Sequence, residues 1–351
     1  MDKQIKMDAA STWERPEDKK FDEWMTTRVA RFESRTYDWD ALKFQADYDS
    51  KYARAQCRYV GTGGTGISND ENVGFGKAVN QGSQLAKGDY YLILNPDTIV
   101  ESNWIEELLS AYNKFGEGLY QPKILSLNEK QVLQSTGNML HVFGFGFAKD
   151  KGRKDREIDE EIKKIGYASG TCLFTSRNVL DKVGLLDSFL FLYHDDLDLG
   201  WRASQIGINS YYVPKSKIYH VESYSLKWSA KKFYWLERNR KYCLLTHYSK
   251  NTYAKMYSSL CLVDLFVWFF YISKGFLGAK IKAELDIRRN KKLIETKYEE
   301  LEKKKTVPDE KLIQEFPDEI FVPTNVSDNF MNGSFNSVLS KLSKKVKKKI
   351  I

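Results

Sequence analysis

The sequence predicts an α/β fold, a layered domain of strands and helices, followed by a helical region. Two observations carry this. Between residues 56 and 228, short apolar runs that break at Gly, Pro or Asn/Asp turns alternate with segments of helical spacing, the pattern of a sheet layered with helices. Beyond residue 229 the strand pattern stops and long helical periodicity takes over.

The elements follow in order. Residues 1 to about 20 are charged and read as disordered; residues 21–55 are charged and aromatic, with weak helical periodicity and no motif. Gln56–Val60 reads as a strand entering the turn Gly61-Thr-Gly-Gly-Thr-Gly66. Phe75–Ala86 has helical spacing and stops at Lys87-Gly88, a usual helix ending. Asp89–Leu94 is a strand broken by Asn95-Pro-Asp97, and Ser102 then caps a helix to about Phe115, with Glu106 and Glu107 early in it. Tyr120–Ser126 and Gln131–Phe147 read as strands with turns, and Lys149–Lys164 as a charged mobile loop. Ile165–Ser176 is a strand, Arg177–Val183 a short helix, and Asp195–Ile206 an amphipathic helix. Two strands, Ile208–Val213 and Lys217–Val221, precede helices over Ala230–Tyr248, Tyr253–Lys280 and Ala283–Lys305; residues 306–340 read as irregular. The expected units are 1–55, a segment without readable structure; 56–228, the α/β domain; 229–305, helical; and 306–351, an irregular linker with a basic tail.

Composition narrows the function. With 351 residues, 42% hydrophobic, the chain has enough apolar surface for a buried core. The net charge is +8, and the last eleven residues carry six lysines and no acid, which leaves about +2 elsewhere. That is a basic tail rather than a basic fold, so nucleic acid is not expected as a partner. The four cysteines form no C-x-x-C pair and lie in apolar stretches, which suits buried thiols in a reducing compartment better than zinc. The N-terminal residues lack an apolar run of the secretory type. Leu260–Ile272 is apolar but holds Asp264 and is too short to span a bilayer. With the lysine-rich Leu339–Ile351 it suits attachment at an anionic membrane surface. The expected location is cytoplasmic, peripheral at the inner face of the plasma membrane.

Gly61 to Gly66 matches G-x-G-x-x-G after a strand and raises an NAD(P)-dependent oxidoreductase. The fingerprint needs a helix opening directly on the glycines, so that its N–H groups meet the pyrophosphate. Here Ile67-Ser-Asn-Asp-Glu-Asn72 intervenes, and the position for a ribose-binding acid falls at a helix end.

Four segments together are more informative: Asn72-Val-Gly-Phe-Gly-Lys-Ala-Val-Asn80; Leu94-Asn-Pro-Asp97; Gly184-Leu-Leu-Asp187 through Phe191-Leu-Tyr-His-Asp-Asp-Leu-Asp198 to Arg202; and Val213-Pro214 followed by His220. Their order and spacing resemble glycosyltransferase family 2, particularly its rhamnosyltransferase-like members, and Glu237-Arg-Asn-Arg240 resembles that family's C-terminal helical region. The resemblance covers about residues 57–300. It implies a GT-A-type, Rossmann-like nucleotide-sugar-binding sandwich followed by C-terminal helices. It also implies inverting transfer of a sugar, of which rhamnose is one candidate, from a dTDP- or UDP-sugar to a glycan or polyprenyl-linked glycan in cell-envelope polysaccharide synthesis. A non-catalytic glycan-binding relative is the alternative.

By the same resemblance, Asp97 and His220 serve a divalent metal, Mg²⁺ or Mn²⁺. Asp196 is the catalytic base with Asp195 beside it, and Asn72, Gly74, Asn80, Asn95 and Arg202 lie on the donor side. The residue chemistry agrees. A diphosphate leaves readily once a cation held by hard oxygen ligands neutralises it, and Asp97 follows a strand end, where α/β proteins collect ligands. Of the three crowded carboxylates, Asp195 suits a helix cap and Asp198 an i,i+4 pair with Arg202, which leaves Asp196 in surplus. The chain departs from the family where the nucleobase is held: no opening strand is legible before residue 56, and the glycine turn lacks the expected acids.

Overall fold

The computed structural model describes residues 39–46, 55–60, 66–69, 71–95, 97–157, 161–221, 229–320 and 329–351. At its centre is a mixed sheet. Its strands are β1 (Trp39–Ala46), β2 (Ala55–Val60), β3 (Gly66–Ser68), β4 (Tyr90–Leu94), β5 (Thr98–Val100), β6 (Gly118–Ser126) and β7 (Leu133–Ser135). A separate hairpin pairs β8 (Asn138–Leu140) with β9 (Gly146–Ala148). The sheet is completed by β10 (Lys163–Ile165), β11 (Cys172–Ser176) and β12 (Asn209–His220). The order is β10-β12-β6-β11-β4-β1-β2-β3, with β5 on β12 and β7 on β6. Strand β4 runs parallel to β1 and antiparallel to β11, while β6 runs parallel to β12.

Strand β4 shows why the sheet sits centrally. Successive side chains of a strand point to opposite faces. Tyr91 and Ile93 enter one apolar layer with Ala78 and Val79 of α1 (Phe75–Leu85). Leu92 and Leu94 enter the opposite layer with Trp104 and Leu108 of α2 (Trp104–Phe115). The first layer also takes Val179 of α3 (Arg177–Val183) and Leu199 of α4 (Asp195–Gln205). The result is an α/β sandwich. Among the described residues six helices follow: α5 (Ala230–His247), α6 (Lys250–Ser273), α7 (Leu277–Arg289), α8 (Lys291–Lys304), α9 (Asp309–Glu315) and α10 (Asn329–Ile350). They share a third core with Trp201 of α4, which docks the helical region onto the sandwich.

The structure corrects several expectations. The segment without readable structure contains β1, which lies beside β4 in the middle of the sheet, so the α/β layer starts no later than residue 39. The cap before α2 is Asn103 rather than Ser102. The supposed mobile loop 149–164 is pinned where it is described: Asp150 accepts from Thr136 at 2.6 Å, and Asp155 pairs with the fully buried Lys123 at 2.5 Å. The single strand expected over Ile165–Ser176 is two, β10 and β11, parted by the loop 166–171. The two strands after Gly207 are one, β12, bulged between Val213 and Lys217. The irregular linker and tail contain two helices. In α10, Leu339, Val346 and Ile350 recur at helical spacing among the lysines and are buried in the third core. Of the cysteines, Cys172 and Cys243 are buried but Cys261 is exposed. The calls on residues 1–38 and on the turn 61–65 lie outside the described residues. After that turn comes β3, which pairs back on β2 through Arg58 and Gly66. A strand therefore follows the glycines, where a dinucleotide fingerprint needs a helix.

Candidate active site

The Asn-Pro-Asp turn is fixed from both sides. Asn95 N–H donates to the carbonyl of Thr171 at 2.9 Å, and the Thr98 hydroxyl donates to the Asn95 carbonyl at 2.6 Å. Strand β5 then pairs antiparallel with the end of β12, Thr98 opposite His220. Val221 N–H donates to the Asp97 carbonyl at 3.1 Å. This register brings Asp97 and His220 together, with Oδ1 and Nε2 3.4 Å apart.

Gln134 decides which imidazole nitrogen carries hydrogen. Its Nε2 donates to the His220 carbonyl at 2.7 Å, which leaves its Oε1 facing His220 Nδ1 at 2.8 Å. Oε1 only accepts, so Nδ1 donates to it and Nε2 is the ring nitrogen turned toward Asp97. Asp97 Oδ1 is buried and accepts no hydrogen bond among the described residues. A carboxylate oxygen and an imidazole nitrogen thus converge on one point. That donor set fits a divalent cation.

The acidic helix differs from expectation in one residue. Asp195 is not the cap of α4: His194 holds that position, in the left-handed conformation with φ 65°, without a side-chain cap. Asp195 is instead buried against α1, where a Cβ on Gly76 would meet its Oδ1 at 3.3 Å. Burial, then the neighbouring Asp196, pushes its carboxyl well above the usual range. Asp196 accepts from Gly170 N–H through Oδ2 and from Leu197 N–H through Oδ1, both at 2.9 Å. Burial raises its pKa, and these hydrogen bonds oppose the rise. Asp198 is fully buried, pairs with Arg202 at 2.8 Å and faces His247 at 3.2 Å. Despite burial, Arg202 and His247 hold it far below the ordinary aspartate value.

On the donor side the structure separates the candidates. Arg202 is enclosed: beyond Asp198 it donates to the carbonyls of Val183, Gly184 and Leu185. It is a brace between α4 and the loop after α3, not an arm offered to a phosphate. Asn80 is a brace as well, its amide donating to Leu186 O at 2.7 Å and accepting from Leu186 N at 3.0 Å. Asn72 accepts from Gly74 N–H at 2.9 Å and shapes the entry to α1. Gly74 is needed for closeness: at φ 83°, a Cβ would lie 2.7 Å from Phe191. Phe75 N–H donates to Phe191 O at 2.8 Å, and the Phe75 ring lies over Gly170, the residue that holds Asp196. Asn95 is half-buried at the mouth of the turn.

The loop 189–194 joins these parts and carries positive φ at Phe191, Tyr193 and His194. Side chains that are not glycine resist this conformation. The amide of Asn239 on α5 faces the carbonyls of Leu190, Leu192 and Tyr193 at 2.8–2.9 Å, and Arg238 donates to Phe189 O at 2.6 Å. Sequence reasoning gave Asn239 no role, although it lies inside the Glu237-Arg-Asn-Arg240 segment. Gln134 and Gly170 carried no sequence signal.

Residues 47–184 match the model of Glycosyl transferase family 2. The chain carries a glycosyltransferase family 2 domain. The match holds the Asn72–Asp97 region, while the acidic helix and His220 lie beyond it. Among similar proteins of the family, the N-acetylglucosaminyl-diphospho-decaprenol L-rhamnosyltransferase of Mycobacterium tuberculosis is 26% identical over 176 residues, 44% of this chain and 57% of that one. The low-salt glycan biosynthesis hexosyltransferase Agl10 of Haloferax volcanii is 24% identical over 155 residues, covering 43% and 47%. Rhamnosyltransferase WbbL of Escherichia coli is 25% identical over 173 residues, covering 46% and 63%. The chain thus spans about half the length of the curated relatives it matches. Among solved structures, GalNAc-T7 with UDP, GalNAc and Mn²⁺ superposes at a TM-score of 0.42 and 17% identity, covering 53% of this chain and 38% of that one. S. aureus TarS 1-349 superposes at 0.36 and 13% identity, covering 80% and 73%.

Proposed function

We propose that the protein is an inverting glycosyltransferase that moves a sugar from a nucleotide-sugar to a glycan or lipid-linked glycan. One observation carries the reading. Asp196 is bound to Gly170 N–H, the next residue, Thr171, accepts Asn95 N–H, and two residues further Asp97 faces His220. This chain of contacts supports a carboxylate base and a cation-holding pair near one end of the central strand β4.

In this mechanism Asp196 takes the proton of the acceptor hydroxyl. The acceptor oxygen bonds to the anomeric carbon as that carbon's bond to the diphosphate breaks, and the electron pair leaves with the nucleoside diphosphate. Burial makes Asp196 more basic than an exposed aspartate, while the N–H groups of Gly170 and Leu197 hold it in place. Asp195, held toward its neutral form, keeps a second anion from its side. A divalent cation held by Asp97 and His220 would neutralise the leaving diphosphate. Asn72, Gly74 and Asn95 stay as donor-side candidates. The names of the relatives support a rhamnosyl or other hexosyl group and a polyprenyl-linked acceptor; a dTDP- or UDP-linked donor and the cytoplasmic face of a membrane complete the proposal.

The test is release of nucleoside diphosphate from a panel of nucleotide-sugars with Mn²⁺ or Mg²⁺. Metal-dependent release is expected, and Asp97→Ala should abolish it with the melting temperature kept. Glycan binding without release from any donor would instead make the protein a non-catalytic relative.

A further inference from the structure

The outer face of α6 is apolar along its whole second half and beyond. From Met256 to Ser273 the sequence holds one charged residue, Asp264. It is turned inward, accepting from Lys280 at 2.7 Å and pairing with Lys241 at 3.2 Å. Tyr257, Leu262, Leu265, Phe266, Phe269 and Ile272 recur at helical spacing on the other side and are exposed, Phe269 by 61%. Leu277, Ile281 and Leu285 extend this exposed apolar surface along α7. Patches of this size on a soluble surface mark a binding face.

The helix is long and apolar enough to cross a membrane, yet its inner side is bound to the protein. Val263 and Met256 are buried, and the Tyr271 hydroxyl donates to Phe233 O at 2.7 Å. It is neither a core helix, which would be covered on both sides, nor free to leave and span. It has one docked face and one bare one.

The exposed charges from the end of α6 along α7 are of one sign. From Lys274 to Arg289 they are Lys274, Lys282, Arg288 and Arg289, and the acids of that stretch, Glu284 and Asp286, are half-buried and partnered. At the other end the basic helix α10 lies along α6, with Lys349 Nζ donating to the Lys255 carbonyl at 3.0 Å. A second copy of the chain would bring these cations against their own kind. An apolar strip bordered by cations complements an anionic bilayer surface.

We propose that the α6–α7 face docks the protein on an anionic lipid surface, with α6 lying in the plane of the headgroups. This rests on the reading above in one respect, that a lipid-linked acceptor needs its enzyme at the membrane. The face and the site share a support: α5 grips the loop 189–194 through Arg238 and Asn239, and its Glu237 binds Lys280 of α7 at 2.6 Å. The expected tail anchor becomes part of this face, since α10 is packed rather than loose.

The experiment is co-sedimentation of the full chain with phosphatidylcholine vesicles, with and without phosphatidylglycerol. Binding is expected only with the anionic lipid. Leu265→Glu/Phe269→Glu should lower the bound fraction at least about tenfold. Lys282→Glu/Arg288→Glu should lower it too, more at low salt than at high salt. Melting temperatures and vesicle-free nucleoside diphosphate release should stay at the wild-type level. Equal binding by wild type and both variants overturns the proposal, as does equal binding to neutral vesicles. A wild-type dimer that the Leu265/Phe269 variant breaks, with no vesicle binding, would assign the face to a second copy. Vesicle binding without any donor hydrolysis would leave this inference standing and remove the catalytic reading.

Discussion

Gln134 holds His220 at two points, the carbonyl at 2.7 Å and Nδ1 at 2.8 Å, and so turns Nε2 toward Asp97. Hydrogen bonds of this kind behind a metal ligand fix its tautomer and orientation. Gln134→Leu should therefore weaken Mn²⁺ binding about 10–100-fold with only a modest change in stability. Calorimetry of Mn²⁺ in the presence of nucleoside diphosphate measures this directly. Unchanged affinity would mean that Gln134 is a packing residue and that His220 needs no orienting.

Arg202 gives a clean distinction between a donor ligand and a brace. Its guanidinium binds Asp198 and three backbone carbonyls inside the protein. Arg202→Met leaves Asp198 buried with one fewer cation, a change that typically costs about 3–5 kcal/mol. Urea denaturation should show a loss of that order, with donor affinity of the remaining folded protein near the wild-type value. A stable variant with a raised donor KM would restore the donor-binding role.

How much of this was readable depends on how local the signal is. The run Tyr90–Leu94 and the Asp198–Arg202 pair of α4 are each spelled within a few residues, and they folded as read. Strand β1 was missed because its alternation, Leu42-Lys-Phe-Gln-Ala46, is short and lies inside a charged segment. The buried positions of α10, Leu339, Val346 and Ile350, were present at regular spacing but masked by lysine. Asp195 looked like a cap because caps favour aspartate, yet the chain enters α4 through His194 at positive φ, which no pattern announces. Gln134 meets His220 across 86 residues and Asn239 meets its loop across 46 to 49; neither has a local trace.

The loop that carries the acids should fail when its brace is removed. Asn239→Ala strips the carbonyls of Leu190, Leu192 and Tyr193 of their side-chain donor while Phe191, Tyr193 and His194 keep their positive φ. Leu190 O keeps the N–H of Leu192 at 2.7 Å, but the carbonyls of Leu192 and Tyr193 lose their donor; with the unsupported strain this predicts a loss of about 2–4 kcal/mol. Equilibrium unfolding gives the number. Transfer should fall more than donor binding, because the loop leads into Asp195 and Asp196. A loss under about 0.5 kcal/mol, typical of surface substitutions, would show that the loop holds its shape unaided.

Asp195 and Asp196 should separate by pH as well as by rate. Asp196→Asn keeps the shape and removes the base, so transfer should drop about 10²–10⁴-fold with donor affinity kept. In the wild type, transfer should decline as pH falls through the raised pKa of Asp196, at a pH above the ordinary aspartate value of about 3.9. Asp195 acts on stability instead. Its folded pKa lies well above its unfolded one, so the folded state binds its proton more tightly. The stability this provides is full below about pH 4 and is lost as pH rises through the folded value. Asp195→Asn removes that loss. The variant should therefore gain on the wild type as pH rises from about 4, a gap that melting temperatures across pH will show. A gap that is constant in pH would mean that Asp195 is ionised in the folded protein, held by partners beyond the described residues. Loss of transfer in Asp195→Asn matching that in Asp196→Asn would move the base to Asp195 and leave Asp196 as its support.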